Sequence, residues 1–304
     1  MAIKVAVFGI FYPLAMLRYF WEALEDRDDV ELWTCGPFTG NWIPWNGGMT
    51  IPQKYVKTPD FPLPAEMVNK EMPPGIVENQ IPWTPDLSLV IDAGFHFNSR
   101  PPGRIIAHVK TDPHVLGMWY KPFRKYVDYS FTMQTPYMEK NDFYLPYAYS
   151  RRYHYPENRE KIYDACMIGL KYDQRNRLIR ALRAKGLNVY YDLGVVYDEY
   201  RKTYGQSKIA LSWSSLQDLP ARVWEAFGMG LPLVTNRVPD LPTFFVEGEH
   251  YLGFDNVQEA INQVEFLLNN PEFANEMADA GYRKVKPHTW NARIQQILET
   301  VKLL

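Results

Sequence analysis

Cysteine is nearly missing from this 304-residue sequence: Cys35 and Cys166 are its only two. Thiols so few and so far apart build neither a disulfide framework nor a zinc site. Both lie in or beside apolar runs, so buried free thiols are expected. No apolar run approaches the ~18 residues of a membrane span. The opening residues, Met1 to Gly9, form a short strand with neither the charged region nor the cleavage site of a secretory leader. A cytoplasmic, reducing setting is therefore expected. Excess charge is absent too: 33 Lys+Arg stand against 35 Asp+Glu, a net −2. That balance disfavours a nucleic-acid partner held by bulk charge, though a local basic groove is compatible with it.

Several catalytic signatures are also lacking. Neither Gly9 nor Gly169 opens a G-x-G-x-x-G fingerprint, which argues against a classical dinucleotide dehydrogenase. There is no P-loop, no H-E-x-x-H and no G-x-S-x-G. His96, His108, His154, His250 and His288 show no metal-ligand spacing, and no metal site is expected. Asp26-Arg27-Asp28 reads as a solvated turn after a helix.

What the sequence does have is apolar material, 46 % of residues, and many aromatics, with 9 Trp and 21 Tyr. The apolar runs alternate between strand and helix type, twice over. Ile3–Phe8 is a short apolar run and Val30–Trp33 a second strand, while 87–91, 104–109 and 129–133 are continuous β-branched or aromatic runs, the pattern of parallel strands buried on both faces. A helix is predicted over Leu14–Leu24, and another near Ala65–Lys70 within a long Pro-, Gly- and Trp-rich stretch, 36–85. Trp42, Trp45 and Trp83 in or beside that stretch either form a stacking platform or cover a sheet edge. The second block restarts at Tyr163–Ile168. It continues with strands at 189–193, 208–213 and 233–235, and with helices over 173–185, 198–204, 220–229, 257–268, 271–284 and 290–303. Two β/α blocks predict two doubly wound Rossmann-like domains, about 1–150 and 151–286, with a final helix in 287–304. In such folds ligands sit at the carboxyl ends of the strands.

The most informative stretch runs from Ser214 to Thr235. A strand ends at Trp213, a turn presents Ser214 to Leu219, and Pro220 opens a helix whose first N–H groups suit a diphosphate. Arg222 and Glu225 lie three apart on one face of that helix. Glu225 suits the two hydroxyls of a ribose. Arg222 suits either a phosphate or a neighbouring carboxylate.

Ser214, Gln217, Glu225-Ala226 and Gly230-Leu231-Pro232 resemble the donor segment of group 1 glycosyltransferases of the retaining, GT-B type. Arg222-x-x-Glu225, Phe244-Phe245-x-Glu247-Gly248 and His288-Thr289-Trp290-x-x-Arg293 are most similar to the CgeB-like branch. The resemblance covers Tyr163 to the C-terminus well and the first half loosely. It implies two facing domains and a last helix that crosses back to the first. It implies transfer of a sugar from a nucleoside diphosphate sugar to an acceptor hydroxyl, with retention, without a metal and with no cofactor beyond that co-substrate.

By the same resemblance Glu225 takes the ribose, and Ser214 and Ser215 line the diphosphate or sugar pocket. Gly194, Val195, Val196 and Tyr197 hold the base through backbone groups, while Lys171 and Arg175 neutralise the diphosphate. For Lys171 and Arg175 the alternative is a solvated helix start. Gln217 stands where the family usually has a Glu facing the donor sugar, and its amide carries no charge to stabilise an oxocarbenium ion. In the first half, Gly9 closes a strand toward the cleft. Asp112 and His114 follow the strand 104–109, where they serve either an acceptor hydroxyl or the start of the next helix. Two rivals share this architecture: a nucleotide-sugar epimerase or hydrolase, and a non-catalytic binding protein.

Overall fold

A computed structural model of the protein describes residues 2–43, 48–91, 95–214 and 216–304. The chain divides into two compact units, Met1–Pro146 with Trp290–Leu304, and Tyr147–Thr289.

The first unit opens with β1 (Ile3–Phe8), α1 (Leu17–Glu25) and β2 (Val30–Pro37). Two short strands, β3 (Trp42–Ile43) and β4 (Met49–Thr50), pair antiparallel. Then come β5 (Phe61–Leu63), β6 (Lys70–Met72), β7 (Leu87–Ile91), β8 (Phe95–Phe97), β9 (Ile105–Lys110), α2 (Pro113–Tyr120), β10 (Tyr129–Thr132) and β11 (Asp142–Tyr144). Seven strands form one parallel sheet in the order β11-β10-β9-β7-β1-β2-β5. Its central strands are mostly apolar because both faces are covered, and every residue of β7 is buried. Phe8, Trp33, Val90, Phe97, Ile106 and Phe123 fill one side, with Phe8 edge-on to Phe97 at 5.0 Å.

Two elements differ from expectation. Instead of a helix over Ala65–Lys70 there is a single 3-10 turn, Ala65–Met67, and then β6, which pairs with the distant β8. The first helix begins at Leu17, not Leu14, because the chain is still in a turn at Tyr12–Ala15, where Ala15 N–H bonds Tyr12 O. Leu14 is left 39 % exposed.

The second unit contains β12 (Tyr163–Ile168), α3 (Asp173–Ala184), β13 (Val189–Asp192), α4 (Tyr197–Gly205), β14 (Ser207–Ser212), α5 (Ala221–Gly228), β15 (Leu233–Asn236), the short α6 (Leu241–Phe244), β16 (Tyr251–Phe254), α7 (Val257–Asn269) and α8 (Pro271–Val285). Its five strands are parallel, in the order β13-β12-β14-β15-β16. Met167, Leu178, Leu182, Leu211, Val234, Phe254 and Val264 form its core. The last helix, α9 (Trp290–Thr300), returns to the first unit. There Trp290 stacks on Tyr19 of α1 at 5.3 Å and Arg293 Nε donates to Pro146 O at 2.8 Å.

The chain is thus a mixed α/β protein of two Rossmann-like doubly wound units. In each, the strand order reverses beside the first strand, at β1/β7 and at β12/β14. Both cysteines are buried and free, and burial pushes each thiol up to about 12. No helix among the described residues is long and apolar enough to cross a membrane.

Burial of an ionisable group in β9 has a measurable consequence. His108 packs against Tyr120 and Phe123, with ring centres 5.0 and 5.3 Å away. Burial, with the charges of Lys110 and His96 adding and Asp142 opposing, pushes its pKa down to about 3. The unfolded chain takes up this proton near pH 6.5 and the folded chain does not. Stability is therefore lost as pH falls from ~6.5 toward 3, at up to ~1.4 kcal/mol per pH unit. Urea unfolding at pH 7, 6 and 5 is expected to show this slope, and His108→Phe to reduce it by about one proton's worth. An unchanged slope in the variant would place the proton uptake elsewhere.

Candidate functional site

The reversal in the second unit is built around a glycine. Gly169 follows β12 with φ +149, in the region open mainly to glycine. A Cβ there would lie 2.1 Å from Arg222 Nη2 and 3.5 Å from Arg175 Nη1. Two guanidinium groups therefore converge over the end of β12. Arg222 comes from the first turn of α5 and donates from Nε to Ile168 O at 2.6 Å. Arg175 comes from α3 and donates from Nε to Trp213 O at 2.7 Å and from Nη1 to Leu170 O at 2.9 Å. Its Cζ also lies over the Tyr172 ring at 4.8 Å.

Arg175 is 5 % exposed, so the alternative of a solvated helix start does not describe it. Among the described residues no carboxylate is within ion-pairing distance of either guanidinium, which also removes the carboxylate-partner alternative for Arg222. Arg222 Nη1 is buried without a hydrogen-bond partner among those residues. Burial, with the Arg222 charge adding to it, pushes Arg175 down to about 10. Arg175 stays cationic at neutral pH. Two adjacent cations, Arg175 buried and Arg222 half-buried with a covered Nη1 left unused among the described residues, form a site that an anion would neutralise.

One helical turn further along α5, Glu225 is held by one side chain and flanked by another. Tyr200 of α4 donates its hydroxyl to Oε2 at 2.5 Å, and His154 Nε2 is 3.7 Å from Oε1. The Glu225 side chain remains 13 % exposed. The next residue back, Trp224, is buried against Phe244, Phe245 and His288 and fixes the helix rotation. Neither His154 nor Tyr200 was singled out from the sequence as a site residue. Their roles come from tertiary placement, and no local spacing announces them.

Ser214 serves the turn itself. Its N–H donates to Asn236 Oδ1 at 2.7 Å, and its hydroxyl lies against the Asp218 carboxylate and 3.0 Å from Leu216 O. Asp218 also accepts from Leu216 N–H at 3.3 Å, so this buried carboxylate, unremarked in the sequence, organises the loop. Gln217 is exposed on the same loop. Ser215 lies outside the described residues. Lys171 is exposed and paired with Asp192 at 3.1 Å, which is the solvated alternative. Gly194 and Val195 form an open turn before α4, and Val196 caps that helix with extended backbone. Tyr197 adopts φ +50, a strained conformation for a bulky residue, with its ring 4.8 Å from that of Tyr153.

The remaining candidates belong to the first unit. Gly9 follows β1, and a Cβ there would meet Ile91 O and Leu17 Cδ1 at 2.3 Å, so chain packing alone demands glycine. Asp112 is the N-cap residue of α2 but makes no side-chain capping bond. His114, in the first turn, has its ring 5.8 Å from Tyr137, and its buried Nδ1 is without a hydrogen-bond partner among the described residues. Trp83 donates to Glu31 at 2.6 Å, at the amino end of the sheet, opposite the usual ligand end. Trp42 is exposed, and Trp45 lies outside the described residues.

Residues 155–299 match a family model described as "Glycosyl transferase-like". No curated protein matches the chain by sequence. Among solved structures, the chain is similar to a sucrose-phosphate synthase from Thermosynechococcus elongatus, at 13 % identity and TM-score 0.67, over 99 % of this chain and 98 % of that one. It is similar to an alpha-glucosyltransferase solved with UDP and a 13-mer DNA, at 10 % identity and TM-score 0.68, over 99 % and 100 %. A UDP-N-acetylglucosamine 2-epimerase also matches, at 12 % identity and TM-score 0.59, over 100 % and 96 %. At these identities the likeness establishes a shared fold, the GT-B fold.

Proposed function

We propose that the protein is a glycosyltransferase that moves a sugar from a nucleoside diphosphate sugar to an acceptor hydroxyl, with retention of configuration and without a metal. The observation that carries this reading is the convergence over Gly169 of the buried Arg175 and half-buried Arg222 guanidinium groups, with no carboxylate within ion-pairing distance of either among the described residues. The family match over the second unit and the fold support it.

In this reading Arg175 and Arg222 hold the diphosphate, and Lys171 joins them by leaving Asp192. Their positive charge stabilises the leaving diphosphate as the glycosidic bond breaks, in a place where no solvent reorganisation is required. Glu225 accepts the ribose hydroxyls, and the 194–197 backbone borders the base. The Ser214–Asp218 turn, with Gln217 exposed on it, lies toward the sugar. The leaving diphosphate takes the acceptor proton, so no protein nucleophile is required. Asp112 and His114 of the first unit serve the acceptor. The 2-epimerase among the similar structures supports a second reading, conversion of a nucleotide sugar with no acceptor.

Thermal unfolding with UDP, GDP, ADP, TDP and CMP, each with and without EDTA, tests the donor site. A diphosphate at ~100 times its dissociation constant adds ~2.7 kcal/mol, roughly 5–10 °C here. The expected result is a shift from one nucleoside diphosphate, unchanged by EDTA and lost in Glu225→Ala. No shift with any nucleotide would overturn the reading. NMR of the matching nucleotide sugar incubated alone separates the two activities: an altered sugar still attached to the nucleotide is the epimerase result.

A further inference from the structure

The surroundings of Glu225 carry an inference that rests on the donor-site reading and goes beyond it. His154 Nδ1 accepts the Ser150 N–H at 3.1 Å. In the neutral ring this leaves the proton on Nε2, the nitrogen that faces Glu225 Oε1 at 3.7 Å. Burial, with the Arg201 charge adding and Glu225 opposing, holds the His154 pKa below its ordinary value, so the ring is neutral at pH 7. Tyr200 donates to the other oxygen, and its own ring packs edge-on to Tyr204 at 4.8 Å and lies 5.9 Å from His154. Burial and the Glu225 charge keep the Tyr200 phenol protonated far above neutral pH. Two separate segments thus converge on one carboxylate of α5, in a setting where Val223, Trp224, Ala226 and Phe227 beside it are all buried.

We infer that Tyr200 and His154 are positioning residues that lock Glu225 in one orientation, so that the site selects ribonucleotides over 2′-deoxyribonucleotides. Oε2 has the Tyr200 donor on its protein side and Oε1 is backed by the His154 ring at 3.7 Å, and each oxygen keeps capacity for one hydroxyl on its open side. A vicinal diol fills both. A 2′-deoxyribose leaves one oxygen of a largely desolvated carboxylate unmatched, and a locked side chain cannot turn to compensate. Without Tyr200 the carboxylate is free to rotate toward solvent, and the penalty for the missing hydroxyl shrinks.

The experiment is isothermal titration of UDP, GDP and ADP, their 2′-deoxy forms, and inorganic pyrophosphate, against wild type, Tyr200→Phe and His154→Gln. Pyrophosphate reports on the guanidinium site alone. In wild type the preferred ribonucleotide is expected to bind roughly 10- to 100-fold more tightly than its deoxy form. Tyr200→Phe is expected to reduce that ratio about 3- to 10-fold and His154→Gln somewhat less, with pyrophosphate affinity unchanged in both. A wild type that binds ribo and deoxy forms equally overturns the inference while leaving the donor site standing. So does a ratio unmoved in both variants, or a fall in pyrophosphate affinity that tracks the nucleotide, which marks general damage. A wild type that binds no nucleotide at all removes the donor-site reading itself.

Discussion

Exchanging Arg222 for methionine is expected to weaken nucleoside diphosphate binding by roughly 30- to 150-fold and to raise the unfolding midpoint of the unliganded protein by about 2–4 °C. The two effects have one cause. Among the described residues Arg222 makes one hydrogen bond, to Ile168 O, and its covered Nη1 has no partner beside a second cation. Even partial desolvation of a guanidinium costs about 1–3 kcal/mol, and one bond to a carbonyl does not fully return it. Methionine fills similar volume without the charge and leaves the Ile168 carbonyl as the one group that loses its partner. A net gain of about 1 kcal/mol follows. The same substitution removes a charge-assisted donor worth about 2–3 kcal/mol to a bound phosphate. Calorimetry on the free protein and titration with the diphosphate check the two halves. A lower midpoint with intact binding would mean that Arg222 is a structural strut.

The parts of the molecule legible in the sequence are those governed by local pattern. Parallel strands buried on both faces are dominated by apolar residues, so β1, β7, β9, β12 and β14 can be located from their apolar runs, as can α7 and α8 from helical periodicity. Arg222 and Glu225 were legible because a strand, a turn and a proline-led helix fix their address at the end of β14. The stretch 36–85 was not legible. Its short strands exist through pairing with remote partners, β6 with β8 and β5 with β2, and no local period encodes such pairs. Arg175 shows a subtler limit. Its position on α3 is compatible with solvent or core, and only the carbonyls of Leu170 and Trp213 decide for burial. Tyr200 and His154 have the same origin: a tyrosine and a histidine in unremarkable contexts are brought to one carboxylate by the packing of α4 and α5.

Gly169→Ala is expected to damage stability and binding together, whereas Arg222→Met weakens binding but raises stability. At φ +149 an L side chain is strained, by about 1–3 kcal/mol. The new methyl also falls 2.1 Å from Arg222 Nη2, so the guanidinium must move off the end of β12. Together these effects cost about 2–4 kcal/mol, a fall in midpoint of roughly 5–15 °C, and the displaced donor lowers diphosphate affinity by roughly 30-fold. Strain and collision are separable. Only the collision disappears when Arg222 is removed, so in Gly169→Ala/Arg222→Met the midpoint is expected to recover by about 1–2 kcal/mol beyond the sum of the single effects. Additive midpoints would show that the backbone conformation alone demands glycine. A coupling of that size would show that Gly169 is there because the guanidinium has to occupy the space above it, which is where the diphosphate is proposed to bind.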